Sequence, residues 1–194
     1  MDSSQTITAT LTLPGWLNSG QDHWQTRWEQ LHGAQRVQQD NWEQPLRGDW
    51  LSALEEHMLF AADHAARNTT NGAPTRFAIA AHSLGCHLLA AWAAHSKHAH
   101  WVVAALLVAP PDLSQTDTSP AVARWHPPEV AALPFKAVVW GSDNDTYASW
   151  DSTQAIAAQW GASTVCMAQG GHINADTGLG DWPQGWQSLQ ALMA

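Results

Sequence analysis

One serine in this sequence stands where a tight turn could present it as a nucleophile. Ser83 follows the apolar run Phe77–Ala81 and precedes a helix-like stretch that begins at Leu84. Its neighbours at two positions before and after, Ala81 and Gly85, are small, as the strained backbone of a serine on a strand-to-helix turn requires. Alanine replaces the first glycine of the G-x-S-x-G motif, and this string alone predicts a helix N-cap equally well.

A serine hydroxyl needs a histidine base and a carboxylate that orients the base. On a strand-turn-helix scaffold the acid is expected after a later strand and the histidine before the last helix. Asp143 and Asp145 follow the strand-like run that ends at Trp140, and His172 follows two glycines after the run that ends at Met167. His172 is therefore the predicted base. Spacing does not decide between the two aspartates, and the other is expected to cap the turn.

Acyl transfer also needs N–H donors for the oxyanion that develops in the transition state. The residue after the nucleophile, Leu84, is expected to supply one backbone N–H. The second is expected from the segment 13–20, where Gly15 allows a sharp turn, and either Trp16 or Leu17 could provide it. An ordinary Pro-Gly turn is the alternative interpretation of this segment.

The other histidines are expected to have structural roles. His95, His98 and His100 cluster at a helix end, where a solvated surface is favoured over a metal site because no cysteine or carboxylate completes a ligand set. Helix capping is favoured over a substrate-side role for His23. His82 and His87, on either side of Ser83, are expected to pack nearby.

Strand-like and helix-like segments alternate along the chain, which predicts a parallel sheet with helices on both faces. The strands are predicted at Thr6–Leu13, Phe77–Ala81, Trp101–Val108, Val138–Trp140 and Thr164–Met167, with a weaker one at Gln35–Gln39. The helices are predicted at Asp22–Leu31, Trp50–Arg67, Leu84–Ala94, Ser149–Trp160 and Gln184–Met193. The polar segment Arg67–Thr75 and the proline-bearing segment Pro110–Pro128 are expected to lie outside these elements, and the second is short for a lid.

Composition narrows the function classes. The 194 residues fit one domain, 1–194, and the formal charge of −9 disfavours nucleic acid and anionic membranes as partners. The two cysteines, Cys86 and Cys166, are expected to be free thiols in a reducing compartment. Met1–Thr10 does not read as a secretion signal and no apolar run is long enough to span a bilayer, so a soluble, cytoplasmic protein is expected.

Taken together, these motifs resemble the small α/β serine hydrolases that include retinoblastoma-binding protein nine and its bacterial relatives. The resemblance extends over nearly the whole chain. It is carried by the segment 13–20, His23-Trp24, Trp28, Asp49-Trp50, His82–Gly85, Ser142–Tyr147, Gly171–Asn174, Gly178, Trp182-Pro183 and Gly185. It implies a doubly wound α/β-hydrolase fold without a large cap and a Ser, Asp, His triad.

The resemblance also selects Asp145 as the acid, because the family pattern ends Asn-Asp-Pro-Tyr. Thr146 stands here where that proline is usual, a departure that affects loop stiffness more than chemistry. Several of the 13 tryptophans fall on family motif positions. Packing in the core and loops is favoured for them over substrate stacking, since an indole carries a large apolar area.

These observations predict a serine hydrolase that forms an acyl-enzyme on Ser83, with a small carboxylic ester as the expected substrate and thioesters and amides as alternatives. No metal or organic cofactor is implied, and the oligomeric state is not readable from the sequence. The rival interpretation is a binding protein that keeps the fold without turnover, because a fold does not fix a function.

Overall fold

The computed structural model describes residues 7–68, 74–114 and 119–194. Within them, six strands form one sheet: β1 (Ala9–Leu13), β2 (Gln35–Arg36), β3 (Phe77–His82), β4 (Val102–Val108), β5 (Lys136–Ser142) and β6 (Ser163–Met167). Every neighbouring pair is parallel, in the order β2-β1-β3-β4-β5-β6. All of β3 and nearly all of β4 are buried, as their continuous apolar sequences require of strands covered on both faces.

Helices cover both faces of this sheet. They are α1 (Trp24–His32), α2 (Arg47–Asn68), α3 (Leu84–His95), the single turn α4 (Pro120–Ala123), α5 (Trp150–Trp160) and α6 (Pro183–Met193). Buried side chains of α1 and α6 form one apolar cluster with the sheet, and those of α2, α3 and α5 form another on the opposite face. The predicted doubly wound α/β-hydrolase fold is confirmed, and the described residues include no large cap.

The predicted elements all occur, with shifted boundaries. The strand predicted at Gln35–Gln39 has only two residues, and the first strand begins at Ala9, while Thr6 lies outside the described residues. Arg67 was predicted both to end a helix and to begin a loop; it belongs to α2, where its side chain pairs with Asp63 one turn earlier. The rest of that predicted loop includes residues 69–73, which are not among the described residues.

The segment Pro110–Pro128 lies outside the sheet as predicted, but it contains the helix α4, which the sequence did not predict. Ser119 caps that turn and Pro120 begins it, a combination that favours helix initiation even without periodicity. Residues 115–118 of this segment are outside the description.

Parallel strands place their carboxyl ends at one edge of the sheet, and ligands of open α/β sheets bind there. The segments that follow β1, β3, β5 and β6 carry the candidate residues around Gly15, Ser83, Asp145 and His172. The topology therefore brings four distant parts of the sequence to one place. None of the described helices is both long and apolar enough to cross a bilayer.

Candidate active site

Ser83 occupies a strained turn between β3 and α3. Its backbone has φ 54° and ψ −124°, a region that costs free energy for a residue with a side chain. It stands at the N-cap position of α3, yet its hydroxyl makes no capping hydrogen bond. The alternative interpretation of Ser83 as an ordinary N-cap therefore does not describe its side chain.

Gly85, two residues after Ser83, must be small, as the sequence indicated. A β-carbon on Gly85 would lie 2.2 Å from the carbonyl oxygen of Leu13, a distance that no packed structure tolerates. Ala81, on the other side of Ser83, is completely buried in the sheet. Close contact between α3 and the end of β1 thus fixes the turn that carries Ser83.

The structure brings Ser83, His172 and Asp145 into one chain of hydrogen bonds. His172 Nε2 lies 2.9 Å from Ser83 Oγ, and His172 Nδ1 lies 2.9 Å from Asp145 Oδ2. Because a carboxylate only accepts, Nδ1 carries the ring proton and Nε2 is left to accept from the serine hydroxyl. The side chains of Asp145 and His172 are 2% and 13% exposed, so both bonds are largely shielded from water.

The loops that carry the acid and the histidine are bonded to each other. Asp143 accepts from the backbone N–H of Gln169, at 2.7 Å, and so links the two loops. The prediction that it caps its own turn is wrong, because the turn is capped by Asp145, whose Oδ1 accepts from the N–H of Tyr147. The Asn144 side chain accepts from the N–H of Gly171, also at 2.7 Å. These bonds hold the loop of Asp145 against the loop of His172.

Two backbone N–H groups beside Ser83 are free to bind an anion. No described residue accepts a hydrogen bond from the N–H of Trp16 or Leu84, whereas the N–H of Leu17 donates to the carbonyl of Trp42 at 3.1 Å. A β-carbon on Gly15 would lie 2.7 Å from Ser83 Cβ and 3.2 Å from the nitrogen of Leu84. The glycine thus allows the Trp16 segment to approach Ser83, and of the two candidates Trp16 has the unpaired donor.

Sequence reasoning missed Gln25, which is completely buried on α1. Its amide nitrogen donates to the carbonyls of Leu13 and Ala80, at 3.1 and 2.9 Å, and its oxygen accepts from Ser19 Oγ at 2.6 Å. One side chain therefore ties the ends of β1 and β3 to the loop of Trp16. A glutamine in the first turn of a helix carries no recognisable signal for this role.

His82 stands beside His172, and His23 stands beside His82. His82 places Nε2 2.9 Å from the carbonyl oxygen of His172, and its ring packs edge-on against the rings of His23 and His172. Burial lowers the pKa of His82 well below its usual value, and the nearby His23 and His172 lower it further. A neutral His82 donates to the His172 backbone and helps to fix that loop.

Ser83 and His172 open into a cavity of about 300 Å³. Its remaining walls come from the loops after β1, β4, β5 and β6 and from α4, and they are formed largely by Trp16, Leu17, Pro111, Val122, Tyr147 and Asn174. Tyr147 is half exposed and its ring lies 4.5 Å from the ring of His172. The segment Pro110–Pro128, which contains Pro111 and Val122, therefore supplies part of the cavity wall.

In the cluster of His95, His98 and His100, the first and the last are exposed as expected, whereas His98 is not. His98 is 15% exposed at its side chain, and its Nδ1 lies 2.6 Å from Glu55 Oε1. Glu55 also accepts from Trp92 and Ser96, so it is a structural link between α2 and the end of α3. No group of three or more potential ligand side chains in the described part of the chain could hold a metal ion.

The tryptophans serve mainly as packing residues. Seven of them are almost completely buried: Trp24, Trp28, Trp50, Trp92, Trp125, Trp160 and Trp182. Several indole N–H groups donate to loop carbonyls, such as Trp24 to Ile173 at 2.9 Å and Trp28 to Asp181 at 2.8 Å. The ring fills the core while its donor fixes a loop.

A hydrogen-bonded serine, histidine and aspartate at the carboxyl edge of a doubly wound parallel sheet define the class of α/β serine hydrolases. The family model described as serine hydrolase matches residues 10–191. The chain belongs to this family, which confirms the predicted resemblance to small α/β serine hydrolases.

Solved structures share the fold. A proposed YdeN-like hydrolase from Pectobacterium atrosepticum is 24% identical with a TM-score of 0.78, and the match covers 98% of this chain and 92% of that one. The ydeN gene product of B. subtilis is 19% identical with a TM-score of 0.69, covering 96% and 98%. Esterase 2 of Thermogutta terrifontis is 15% identical with a TM-score of 0.66, covering 98% and 84%. Comparison with curated proteins finds no matching sequence.

Proposed function

We propose that this protein hydrolyses small carboxylic esters through an acyl-enzyme on Ser83. The observation that carries the proposal is the unbroken chain from Ser83 Oγ through His172 to Asp145, with both bonds at 2.9 Å, at the wall of a cavity. A serine that only capped a helix would have no reason to be strained and bonded to an oriented imidazole.

In the proposed reaction, His172 Nε2 takes the proton as Ser83 Oγ attacks the ester carbonyl. The N–H groups of Trp16 and Leu84 donate to the oxyanion of the tetrahedral intermediate. Asp145 stabilises the imidazolium, which then gives its proton to the departing alcohol. Water, deprotonated by His172, attacks the acyl-enzyme, and His172 returns the proton to Ser83 Oγ as the acid leaves.

The size of the cavity supports a small substrate. About 300 Å³ is at the low end of the volumes of ligand pockets, and the walls are mostly apolar. A short acyl chain fits such a space better than a long one. We expect kcat/KM for p-nitrophenyl esters to fall by at least about tenfold from butyrate to octanoate.

A covalent probe tests the nucleophile. Esterase 2 of Thermogutta terrifontis, which shares the fold, was phosphoramylated by tabun, so an organophosphorus reagent is a suitable choice. Incubation with a fluorophosphonate followed by intact-mass measurement should show one adduct on the wild type and none on Ser83→Ala. Ser52→Ala, at an exposed serine on α2, is the matched control and should be labelled like the wild type. An unlabelled wild type, or an adduct that persists in Ser83→Ala, contradicts the proposal.

A further inference from the structure

A second space adjoins the cavity of Ser83. It is a recess of about 380 Å³ that shares Tyr147, His172 and Asn174 with the cavity. The nucleophile and both proposed oxyanion donors line only the cavity, whereas the rest of the recess is formed by the loops after β5 and β6. His172 therefore stands between the two spaces.

In the proposed acyl transfer, the two oxygens on the reacting carbon face different groups. The carbonyl oxygen faces the N–H groups of Trp16 and Leu84. The alcohol oxygen must lie within hydrogen-bond reach of His172 Nε2, which gives it a proton as it leaves. This arrangement allows the acyl part to occupy the cavity and directs the alcohol part past His172 toward the recess.

The recess contains one carboxylate without a neighbouring cation. Asp176 is exposed, and its lining partners include no Lys, Arg or second carboxylate. Its Oδ2 accepts from Asn174 Nδ2 at 3.4 Å, and no described residue donates to its Oδ1 or pairs with its charge. Because Asn174 lines both spaces, this contact places the carboxylate beside the boundary between them.

An aromatic ring stands at the same boundary. Tyr147 lines both spaces, is half exposed, and its ring lies 4.5 Å from the ring of His172. A carboxylate and an aromatic ring without a competing Lys or Arg are the surroundings that an ammonium group prefers, since both attract a cation. A negatively charged alcohol part would instead be repelled.

We propose that the recess is the subsite for the alcohol part of the ester and that Asp176 is a specificity-determining residue, which favours alcohols that carry a positively charged ammonium group. The inference rests on the proposed function, since it concerns the ester that acylates Ser83. It predicts that removal of the charge at position 176 weakens the preference for a cationic alcohol over a neutral alcohol of the same shape.

One pair of esters measures this preference. Acetylcholine and 3,3-dimethylbutyl acetate have the same acyl group and nearly the same shape, and they differ by a positively charged nitrogen in place of a carbon. Release of acetic acid, followed by titration at low ionic strength, gives kcat/KM for each. The ratio of the two values, compared between variants, cancels the intrinsic reactivity of the esters.

Asp176→Asn is the informative variant. The amide keeps the shape of the side chain and an oxygen for Asn174, but it removes the charge. We expect the ratio of acetylcholine to 3,3-dimethylbutyl acetate to fall about threefold to fivefold, as suits an exposed charge pair. Glu56→Gln, at an exposed position of α2, removes the same charge away from the recess and should keep the wild-type ratio. This control matters because the net charge of −9 attracts cations to the whole surface.

A second pair of variants tests the aromatic ring. Tyr147→Phe keeps the ring, whereas Tyr147→Leu replaces it with an aliphatic side chain. We expect the ratio in Tyr147→Leu to be about threefold lower than in Tyr147→Phe. Equal ratios in these two variants overturn the contribution of the ring.

The outcomes separate this inference from the proposed function. A wild type that the fluorophosphonate labels, but whose ratio changes by less than about 1.5-fold in Asp176→Asn, overturns the role of Asp176 alone. An equal fall in Glu56→Gln assigns the preference to the net charge and overturns it too, as does a labelled wild type that hydrolyses p-nitrophenyl butyrate but not acetylcholine. A wild type that is neither labelled nor active on any ester overturns the proposed function and this inference with it.

Discussion

Asp143 and Asp145 are only two residues apart, yet their carboxylates do different things. Asp145 uses Oδ2 for His172 and Oδ1 for the N–H of Tyr147, so both oxygens are committed. Asp143 is exposed and accepts from the backbone and side chain of Gln169. Local spacing leaves the two equivalent, and only the direction of each side chain separates them.

This difference predicts unequal effects of the same substitution. Asp145→Asn presents an amide to His172 Nδ1, which favours the wrong tautomer, so we expect kcat for ester hydrolysis to fall by about 10⁴. Asp143→Asn keeps an acceptor for Gln169 and should lower kcat by less than about tenfold. Steady-state hydrolysis of p-nitrophenyl butyrate by both variants checks this. Equal losses would mean that the acid is not fixed by the geometry described here.

At the scale of elements, a single turn of α1 connects the strands that carry the site. The Gln25 side chain donates hydrogen bonds to backbone carbonyls near the ends of β1 and β3, and His23 is the N-cap of the same helical turn. The segment that carries Trp16 connects β1 to α1 along the chain. The position of α1 therefore controls both the Trp16 loop and the end of the strand that leads to Ser83.

Gln25→Met tests this connection. The substitution keeps the length of the side chain but removes the hydrogen bonds to the Leu13 and Ala80 carbonyls and to the Ser19 hydroxyl, so we expect the free energy of unfolding to fall by about 2 to 4 kcal/mol. Gln30→Met, at an exposed position of the same helix, should change it by less than about 0.5 kcal/mol. Urea unfolding of the two variants measures both values. A Gln25→Met protein as stable as Gln30→Met would contradict the role of Gln25.

The elements also show what the sequence could and could not predict. The alternation of apolar runs and helical segments predicted the sheet, and Ser83, His172 and the two aspartates were each predicted to follow a strand. The structure places them at the same edge because parallel strands end there. The sequence could not decide between Trp16 and Leu17 as the second oxyanion donor, because the N–H of Leu17 donates to the carbonyl of Trp42, which is 25 residues away in the sequence. A helix of one turn such as α4 has no periodicity to detect.

At the scale of the whole molecule, buried imidazoles link stability to pH. His23, His82 and His87 are each less than 10% exposed, and burial lowers the pKa of all three. For His87 it falls to about 4, with Arg47 lowering it further while the Pro111 carbonyl and Asp112 oppose the shift. Its Nε2 lies 2.8 Å from that carbonyl. The folded protein therefore keeps these rings neutral where the unfolded chain would protonate them.

The sign of the effect follows from this difference. Below the ordinary histidine pKa of about 6.5, the unfolded state binds protons that the folded state excludes, so stability is fully present above that pH and is lost as the pH falls toward the folded-state values. Between pH 7.5 and 5.5, each such histidine should remove about 1.3 kcal/mol from the free energy of unfolding, and the three together roughly 4 kcal/mol.

His87→Gln isolates one of the three contributions. The glutamine amide can still donate to the Pro111 carbonyl but cannot take up a proton in this range. The change in unfolding free energy between pH 7.5 and 5.5 should therefore be smaller by about 1.3 kcal/mol than in the wild type, whatever the variant's stability at pH 7.5. Urea unfolding at half-unit pH steps gives the slope for each protein. An identical slope in His87→Gln would show that His87 takes up its proton in the folded state as readily as in the unfolded chain, because only a difference between the two states couples protonation to folding.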